Sequence, residues 1–157
     1  SFAGYLAIRG EVDVKPVFQA MGRFGKQMAL PTMTEQKALQ FRKWRPGDPL
    51  VRHHMGVEEP PNTAPALIPA VVLVPLMAFD GDGYRLGYGG GFYDRTLATL
   101  QPRPFTVGLA YSHGFVPWLK PEPHDVPLDA MLVEDGVIDK LLAVSEAWLL
   151  RWRKPGL

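Results

Sequence analysis

The sequence contains no cysteine, no long apolar run and almost no net charge. The absence of cysteine excludes a disulfide framework, a thiolate metal site and a cysteine nucleophile. No apolar run reaches the ~18 residues that a transmembrane helix needs, and the first residues lack the basic flank of a signal peptide. Seventeen Lys and Arg balance sixteen Asp and Glu, for a net charge of +1. This balance favours neither nucleic acid nor a membrane as a partner, and we expect a cytoplasmic protein.

The chain length and composition indicate one folded domain. Its 157 residues are enough for a single hydrophobic core. Sixteen Gly and sixteen Pro predict many turns rather than disorder, because 46% of the residues are hydrophobic. We therefore expect one loop-rich α/β domain over residues 1–157, a monomer or a weak homo-oligomer.

Apolar runs bounded by Gly and Pro predict the strands of this domain. The most hydrophobic run, 70–74, has the length of a central parallel strand buried on both faces. The stretch 58–69 contains four prolines and is predicted to be an extended surface connection. Further strands are predicted at 2–8, 27–30, 38–44, 106–111 and 130–133, and helices at 15–24, 93–100 and 139–153. This order predicts a mostly parallel central sheet flanked by helices.

A glycine-rich loop follows the predicted central strand. Four of the five residues from Gly87 to Gly91 are glycine, so backbone N–H groups can approach an anion without a β-carbon in the way. The next predicted helix adds its positive N-terminal end, at the edge where open α/β sheets bind ligands. Arg85 and Arg95 add cations suited to phosphate, and Asp94 offers a hard oxygen ligand for Mg²⁺. Neither a Walker A motif nor a dinucleotide fingerprint is present, so the spacing alone leaves a simple tight turn as an alternative.

The residues around this loop resemble the signature of a known enzyme family. The run Val74-Pro75-Leu76-Met77-Ala78-Phe79-Asp80, then Gly83, then Arg85-Leu86-Gly87-Tyr88-Gly89-Gly90-Gly91-Phe92-Tyr93-Asp94-Arg95 closely resembles that of the 5-formyltetrahydrofolate cyclo-ligase family, also called methenyltetrahydrofolate synthetase. Further matches lie at Gly10 to Asp13, Gly25-Lys26, Glu59-Pro60, Val107 to Ala110 and His124-Asp125. The resemblance covers residues 4 to 135.

The resemblance implies roles for individual residues. Arg85 and Arg95 would be the catalytic residues, acting through charge. The Mg²⁺ ligands would be Asp94 and Asp125. The ATP phosphates would be held by Arg85, Leu86, Gly87, Tyr88, Gly89, Gly90, Gly91, Phe92 and Tyr93. The folate would contact Leu6, Glu11, Tyr88, Gly89, Gly90, Gly91 and Phe92.

The resemblance also implies a fold and a reaction. The fold would be a three-layer α/β sandwich like that of sugar-phosphate isomerases and CoA transferases. The reaction would convert 5-formyltetrahydrofolate to 5,10-methenyltetrahydrofolate with release of ADP and phosphate. ATP would phosphorylate the N5-formyl oxygen, and N10 would then attack the activated carbon as phosphate leaves. No protein nucleophile is needed, so Ser112, His113 and Ser145 are not candidates for catalysis.

Some features depart from the family pattern or have simpler explanations. Family members usually begin with a basic helix, which we expect this chain to lack, and residues 137–157 form a C-terminal extension beyond the resemblance. Ser112-His113-Gly114 stands where the family commonly has a glutamine. These departures leave a non-catalytic nucleotide- or folate-binding homologue as an alternative, with a sugar-phosphate isomerase as a more distant one. His53-His54 is interpreted as a solvated pair, and Asp80 and Asp82 as turn formers.

Overall fold

A computed structural model describes residues 1–87, 90–134 and 136–139. Within these ranges the chain forms two α-helices, α1 (Lys15–Arg23) and α2 (Phe92–Thr99), and a short 3₁₀ helix, Ser112–Gly114. The strands are β1 (Phe2–Ala3), β2 (Met28–Met33), β3 (Leu39–Lys43), β4 (Val51–Arg52), β5 (Glu58–Glu59), β6 (Val71–Pro75), β7 (Ala78–Phe79), β8 (Arg85–Leu86), β9 (Phe105–Leu109), β10 (Ala130–Val133) and β11 (Gly136–Asp139).

Seven of these strands form one mixed sheet in the order β11-β10-β9-β6-β1-β2-β3. The inner strands β10, β9, β6, β1 and β2 run parallel, while β3 and β11 pair antiparallel at the two edges. Strand β6 lies in the middle, as its uninterrupted apolar sequence predicts. The expected α/β fold with a mostly parallel central sheet is confirmed. Two small antiparallel pairs, β4–β5 and β7–β8, lie outside this sheet.

Each face of the sheet has its own hydrophobic cluster. Along β6, Val72 and Val74 belong to the cluster that contains Leu97 of α2, whereas Leu73 belongs to the cluster that contains Phe18 of α1. This alternation follows from the two-residue period of a strand. The two helices therefore pack on opposite faces of the sheet, and each fully buried side chain of this size stabilises the fold by roughly 1.5–3 kcal/mol.

A close backbone approach fixes the position of α1. Its Phe18 is buried, and the ring centroid lies 5.2 Å from that of Phe2 and 5.3 Å from that of Trp44. Gly4 lies directly against this ring, because a Cβ added there would be 2.6 Å from Cε2 of Phe18. Only glycine lets the chain leave β1 beneath α1 in this way.

Strand β1 is shorter than the sequence predicts. The prediction of a strand over 2–8 is wrong beyond Ala3, although the N–H of Gly4 still donates to the carbonyl of Ala29 at 3.0 Å. The next residue, Tyr5, instead donates its hydroxyl hydrogen to the carbonyl oxygen of Val12 at 2.7 Å. The apolar run 5–8 therefore forms one side of a loop at the carboxyl end of β1.

Strand β2 is longer than the sequence predicts, because it continues through Pro31 to Met33. Its parallel partner β1 pairs only with Met28 and Ala29, so no strand on that side needs a hydrogen bond from position 31, where proline has no N–H. On the other side Pro31 faces Phe41 of the antiparallel strand β3.

The proline-rich connection covers the outer edge of β3. The carbonyl oxygen of Pro65 accepts a hydrogen bond from the N–H of Lys43 at 2.8 Å, and the N–H of Leu67 donates to Phe41 at 2.9 Å. The extended connection predicted at 58–69 also begins with β5, which pairs with β4. Part of the connection thus extends the sheet rather than simply crossing the surface.

The predicted terminal helix over 139–153 meets the structure only at its first residue. Asp139 is the last residue of β11, and residues 140–153 lie outside the described ranges. Among the residues that the structure describes, no helix is long and apolar enough to cross a membrane.

Candidate active site

The predicted phosphate loop ends at the N-terminus of α2. Gly91 is the N-cap residue and has φ +66°, a left-handed conformation that favours glycine. As a glycine, the N-cap residue has no side chain that could make the usual capping hydrogen bond, so within the described ranges the first N–H groups of α2 lack that acceptor. Such N–H groups and the helix dipole together stabilise an anion. Tyr88 and Gly89, which the resemblance assigns to the same loop, lie outside the described residues.

Arg95 holds this loop against the turn that follows β2. Its Nη1 donates hydrogen bonds to the carbonyl oxygens of Gly90 at 2.6 Å and Lys37 at 3.2 Å. A second hydrogen bond joins the same regions, because the N–H of Leu39 donates to Oγ1 of Thr96 at 2.7 Å. One nitrogen of the predicted phosphate-binding cation is therefore occupied, and Arg95 fixes the loop relative to the carboxyl end of β2.

Arg85 and Asp94 form a largely buried ion pair. The Nη2 of Arg85 lies 2.9 Å from Oδ1 of Asp94, and the two side chains are only 8% and 18% exposed. The backbone of Val126 completes this group: its N–H donates to Asp94 Oδ1 at 3.0 Å, and its carbonyl oxygen accepts from Arg85 Nη1 at 2.9 Å. We call these three residues the Arg85–Asp94–Val126 node. The sequence predicts Arg85 and Asp94 as site residues, but it gives no sign of Val126.

The resemblance assigns Mg²⁺ to Asp94, a member of this node, and to Asp125, which precedes its Val126 in the chain. Within the described ranges, Oδ2 of Asp94 accepts no hydrogen bond, since both contacts use Oδ1. Asp125 immediately precedes Val126; its Oδ2 accepts the N–H of Glu122 at 2.7 Å, and its Oδ1 lies 3.6 Å from Nε2 of His124. Each carboxylate keeps one oxygen able to bind a hard cation, which fits the preference of Mg²⁺ for carboxylate, water and phosphate oxygens. The described residues contain no cluster of three or more His, Cys, Asp or Glu suited to a metal.

Glu11 closes a tight loop after β1. Its carboxylate accepts a hydrogen bond from the N–H of Ile8 at 3.0 Å, and its own N–H donates to the carbonyl of Ile8 at 3.0 Å. Arg9, inside this loop, has φ +49°, which costs a non-glycine residue roughly 1–2 kcal/mol. Burial raises the pKa of Glu11, while the Ile8 N–H and the charge of Arg9 lower it in part. A strained loop thus presents a carboxylate that is easier to protonate than usual.

The charge of Glu11 affects the protonation of Tyr93 in α2 and of Tyr5. Burial raises the pKa of the Tyr93 phenol, the charges of Glu11 and Tyr5 raise it further, and Arg85 lowers it. Burial and then Glu11 also raise the pKa of Tyr5. These charges act on one another only over short distances. Tyr93, in the first turn of α2, therefore responds to both Glu11 and Arg85, and Tyr5 responds to Glu11 as well, although the sequence did not single it out.

The remaining predicted residues have different exposures. Leu6 is half-buried and packs against the cluster that contains Phe18. Leu86 is 53% exposed, and Gly87 has open space where a Cβ would lie. Phe92 is half-buried, and its ring comes so close to Gly90 that a Cβ there would lie 2.7 Å from Cδ2. A side chain at Gly90 would therefore force the ring of Phe92 to move.

A cavity of about 340 Å³ lies under the β4–β5 hairpin, at the carboxyl end of β2. It contains none of the predicted site residues, and its lining consists of Thr32, Met33, Thr34, Gln40, Arg42, Val51, Glu59, Pro60, Pro61 and Asn62. Oε2 of Glu59 accepts the N–H of Met33 at 3.0 Å and so ties the hairpin to β2. Of the sequence matches to the family, only Glu59-Pro60 lies in the lining of this cavity.

Ser112, His113 and the His53-His54 pair, which the sequence analysis excluded from the site, have other partners, and Ser145 lies outside the described residues. Oγ of Ser112 donates to Oε1 of Glu134 at 2.6 Å, and the ring of His113 stacks on Tyr111 with centroids 5.5 Å apart. The rings of His53 and His54 are tilted by 41° relative to each other, with centroids 3.9 Å apart. These contacts give no arrangement of a serine activated by a histidine.

Comparison with known proteins identifies relatives over most of the chain. The model of the 5-formyltetrahydrofolate cyclo-ligase family matches residues 2–134. The 5-formyltetrahydrofolate cyclo-ligase of Escherichia coli (strain K12) is 36% identical over 142 residues, which cover 86% of this chain and 78% of that protein. The protein of the same name from Haemophilus influenzae is 36% identical over 140 residues, with 85% and 75% covered.

Solved structures lead to the same family. The NMR structure of Aquifex aeolicus 5,10-methenyltetrahydrofolate synthetase has a TM-score of 0.75 and 31% sequence identity, covering 92% of this chain and 74% of that one. A 5,10-methenyltetrahydrofolate synthetase from Mycoplasma pneumoniae has a TM-score of 0.60 and 26% identity, covering 83% and 71%. The family match extends over both helices and the parallel strands that position the site. The chain therefore belongs to the 5-formyltetrahydrofolate cyclo-ligase family of enzymes.

Proposed function

We propose that the chain uses ATP and Mg²⁺ to convert 5-formyltetrahydrofolate to 5,10-methenyltetrahydrofolate, with release of ADP and phosphate. The observation that carries this proposal is the N-terminus of α2 behind Gly91, which has no side-chain cap and is bordered by Arg95 and by the Arg85–Asp94 ion pair. An anion-binding end of a helix and a partly buried carboxylate occur side by side. Such a site suits a nucleotide phosphate and a heterocycle that must react with each other.

The glycine loop is proposed to hold the triphosphate. Residues Arg85 to Tyr93 supply backbone N–H groups, and the glycines keep the approach free of side chains. Arg95 holds the loop in place through Gly90 and Lys37. Its remaining N–H groups, together with Arg85, stabilise the charge that develops on the transferring phosphoryl group.

Asp94 and Asp125 are proposed to hold Mg²⁺ with their uncommitted carboxylate oxygens. When bound, the ion neutralises phosphate charge and orients the phosphoryl group. The ion pair with Arg85 keeps Asp94 in a fixed orientation. The site therefore requires little rearrangement of its side chains.

The folate is proposed to lie against Leu6, Glu11 and the loop residues Tyr88 to Phe92. The carboxylate of Glu11 can accept hydrogen bonds from the N–H groups of a pterin ring. Contact between one loop and both substrates places the formyl oxygen near the terminal phosphate.

The chemistry that follows depends mainly on positioning. The formyl oxygen is a poor leaving group until it carries a phosphoryl group from ATP. N10 can then attack the formyl carbon; the bond from this carbon to the phosphorylated oxygen breaks, phosphate leaves, and N10 gives up its proton. The residues hold the reactants in line and stabilise charge, which is the usual contribution of a protein to phosphoryl transfer.

We further propose the wider setting of this activity. The packing of α1 and α2 on opposite faces supports a three-layer sandwich like that of sugar-phosphate isomerases and CoA transferases. The net charge of +1 supports a small-molecule enzyme without nucleic acid or membrane partners. It acts in the cytoplasm as a monomer or a weak homo-oligomer.

An absorbance assay tests the proposed function. The purified chain is incubated with 5-formyltetrahydrofolate, Mg²⁺ and ATP while the ultraviolet absorbance of the methenyl product is followed. We expect product formation that stops when either ATP or Mg²⁺ is omitted. Binding of ATP without any product would contradict the proposal and support a non-catalytic binder, and turnover of a sugar phosphate without nucleotide would support an isomerase.

A further inference from the structure

Asp80 is a buried carboxylate that the proposed mechanism does not use. Its residue is only 1% exposed, and none of the ion pairs in the described part of the chain involves it. A buried charge without a cation needs several hydrogen bonds to its oxygens. Asp80 meets this need entirely with backbone N–H groups.

The first oxygen of Asp80 shapes the β7–β8 ribbon. Oδ1 accepts the N–H of Asp82 at 2.9 Å and of Tyr84 at 3.1 Å. The backbone of Asp80 pairs with the same turn, because its N–H donates to the carbonyl of Tyr84 at 3.0 Å and its carbonyl accepts from Gly83 at 3.2 Å. The turn delivers the chain directly into β8, whose first residue is Arg85.

The second oxygen of Asp80 reaches a different part of the chain. Oδ2 accepts the N–H of Leu119 at 3.0 Å, from a residue 39 positions away. Leu119 belongs to the segment between the 3₁₀ helix and β10, which also contributes Val126 to the Arg85–Asp94–Val126 node. Asp80 thus connects the ribbon that carries Arg85 with the segment that carries Val126.

Two backbone hydrogen bonds run beside this connection. The N–H of Val116 donates to the carbonyl of Phe79 at 2.9 Å, and the N–H of Leu128 donates to Gly83 at 2.9 Å. Asp80 lies between Phe79 and Gly83 in the ribbon. Of the three hydrogen bonds from Val116, Leu119 and Leu128, only the one from Leu119 is accepted by a side chain. Both halves of the node are therefore held at fixed separation by contacts centred on Asp80.

We propose that Asp80 is a positioning residue for the reaction: it sets the distance between Arg85 and Val126 and thereby the orientation of Asp94 toward Mg²⁺ and phosphate. It touches no reacting atom. The inference rests on the proposed function, because it assigns Asp80 to the Mg²⁺-nucleotide half of that site. It goes beyond the interpretation of Asp80 as a turn former, which requires only the contacts of Oδ1.

The test variant is Asp80→Asn, which separates the two tasks. An amide has a single acceptor oxygen. If that oxygen keeps the N–H groups of Asp82 and Tyr84, the amide nitrogen faces the N–H of Leu119 and that hydrogen bond is lost. The turn survives, but the bond between Leu119 and the ribbon is lost, which loosens the segment that carries Val126.

Asp129→Asn is the matched control. Oδ2 of Asp129 also accepts a backbone N–H, from Thr106 at 2.8 Å, and Oδ1 is paired with Arg103 at 3.1 Å. This carboxylate lies in the same segment as Val126, yet its partners belong to the start of β9 and to the residues before it. A purely structural effect on stability should therefore be similar in both variants.

Two measurements decide the proposal at a temperature where both variants are folded by circular dichroism. Hydrogen exchange of the Val126 amide should be about tenfold faster in Asp80→Asn and unchanged in Asp129→Asn. The KM for Mg²⁺-ATP should rise roughly tenfold or more in Asp80→Asn, with a smaller change in the KM for the folate, while Asp129→Asn stays near the parent values.

Normal Val126 exchange and an unchanged KM for Mg²⁺-ATP in a folded Asp80→Asn variant would overturn the proposal. If that variant does not fold, Leu119→Pro leaves Asp80 and its turn in place and removes the N–H that bonds to Oδ2, while it also fixes φ at position 119; the same two results are expected and decisive. A parent chain without turnover would contradict the proposed function instead, and Val126 exchange would still decide whether Asp80 holds the node.

Discussion

At the scale of single residues, the two oxygens of Asp94 have different tasks. Oδ1 accepts hydrogen bonds from Arg85 and from the N–H of Val126, and Oδ2 is left for Mg²⁺ in the proposed site. One side chain therefore contributes both to the packing of the site and to its chemistry. A substitution that keeps the shape but removes the charge separates these contributions.

Asp94→Asn is expected to reduce Mg²⁺-dependent turnover roughly 100-fold and the free energy of unfolding by only about 1–2 kcal/mol. The amide oxygen still accepts the N–H of Val126 and one N–H of Arg85, so most of the packing is kept. Turnover and urea unfolding of the same preparations measure the two effects. Asp94→Ala, which removes both acceptors, is the control and should lose more stability. Unchanged turnover in Asp94→Asn would remove Asp94 from the site.

Glu11 gives a second prediction, on pH dependence. Its pKa in the folded chain is raised above the ordinary value of 4.5, chiefly by burial. The ionised carboxylate therefore destabilises the folded state at pH values above the folded pKa, and this effect disappears as the pH falls below 4.5.

Glu11→Gln should accordingly raise the thermal midpoint at pH 8, and the difference from the parent chain should vanish toward pH 4. The same change should lower kcat/KM for the folate about 10-fold or more, because a charged acceptor is lost. Calorimetry across this pH range and the absorbance assay at pH 8 measure both effects. An equal midpoint and full activity at pH 8 would count against a folate-binding carboxylate at this position.

The sequence predicts the kinds of residue in the site better than their contacts. Glycines, Arg85 and Asp94 stand close together along the chain, so a local pattern is enough to select them. Val126 contributes through its backbone from 32 positions beyond Asp94, and no side-chain pattern can reveal that. For Arg95, the sequence suggests a phosphate ligand, but the fold also brings two carbonyl groups to its guanidinium.

At the scale of elements, α2 and the loop before it act as one unit. Gly91 has a positive φ, Arg95 reaches back to the carbonyl of Gly90, and Thr96 binds the N–H of Leu39. Helix α2 therefore holds the loop through Arg95 and the β2–β3 turn through Thr96. A β-carbon at the N-cap position disturbs this unit in two ways.

Gly91→Ala is expected to cost about 1–2 kcal/mol, because alanine avoids the left-handed conformation. The added Cβ would also lie 3.3 Å from Nη1 of Arg95, so the guanidinium that holds Gly90 must move by a few tenths of an ångström and ATP binding should weaken. Chemical unfolding and titration calorimetry with ATP measure these effects. The control is Gly22→Ala in α1, where a Cβ meets only Cε of Met28 at 3.6 Å. It should add roughly 0.5–1 kcal/mol and leave binding unchanged; equal behaviour of the two variants would refute the role of the Gly91 conformation.

Elements that are decided by local pattern are also the ones predicted correctly. Helix α1, helix α2 and strand β6 lie within one or two residues of their predicted bounds, because their apolar spacing and flanking Gly or Pro are local signals. The predicted strand 2–8 fails because Gly4 passes under Phe18, a contact between distant elements. The extension of β2 past Pro31 depends on how early β1 ends, which is likewise a tertiary property.

At the scale of the whole molecule, binding at the site should stabilise the entire fold. The loop after β1, α2, the β2–β3 turn and the segment around Val126 all contribute to the proposed site, so a ligand there connects most of the sheet. With Mg²⁺-ATP at 100 times its Kd, the gain is about 2.7 kcal/mol, or a rise of roughly 5–10 °C in the thermal midpoint. Differential scanning fluorimetry measures this shift.

Mg²⁺ alone and ATP with a chelator are the controls, and each should produce a smaller rise. The shift should also depend on the nucleotide concentration, since the stabilisation arises from mass action. A midpoint that stays constant up to millimolar Mg²⁺-ATP would contradict the proposed nucleotide site.

The cover over the outer edge of β3 has a consequence for crowded conditions. An unpaired outer strand offers free N–H and C=O groups to any extended chain nearby, and so templates fibrils. Here the N–H of Lys43 already donates to the carbonyl of Pro65, and the carbonyl of Phe41 already accepts from the N–H of Leu67. Prolines in the covering segment have no N–H with which to pair with a further strand. High concentrations of this chain should therefore not lead to intermolecular strand pairing at the β3 edge.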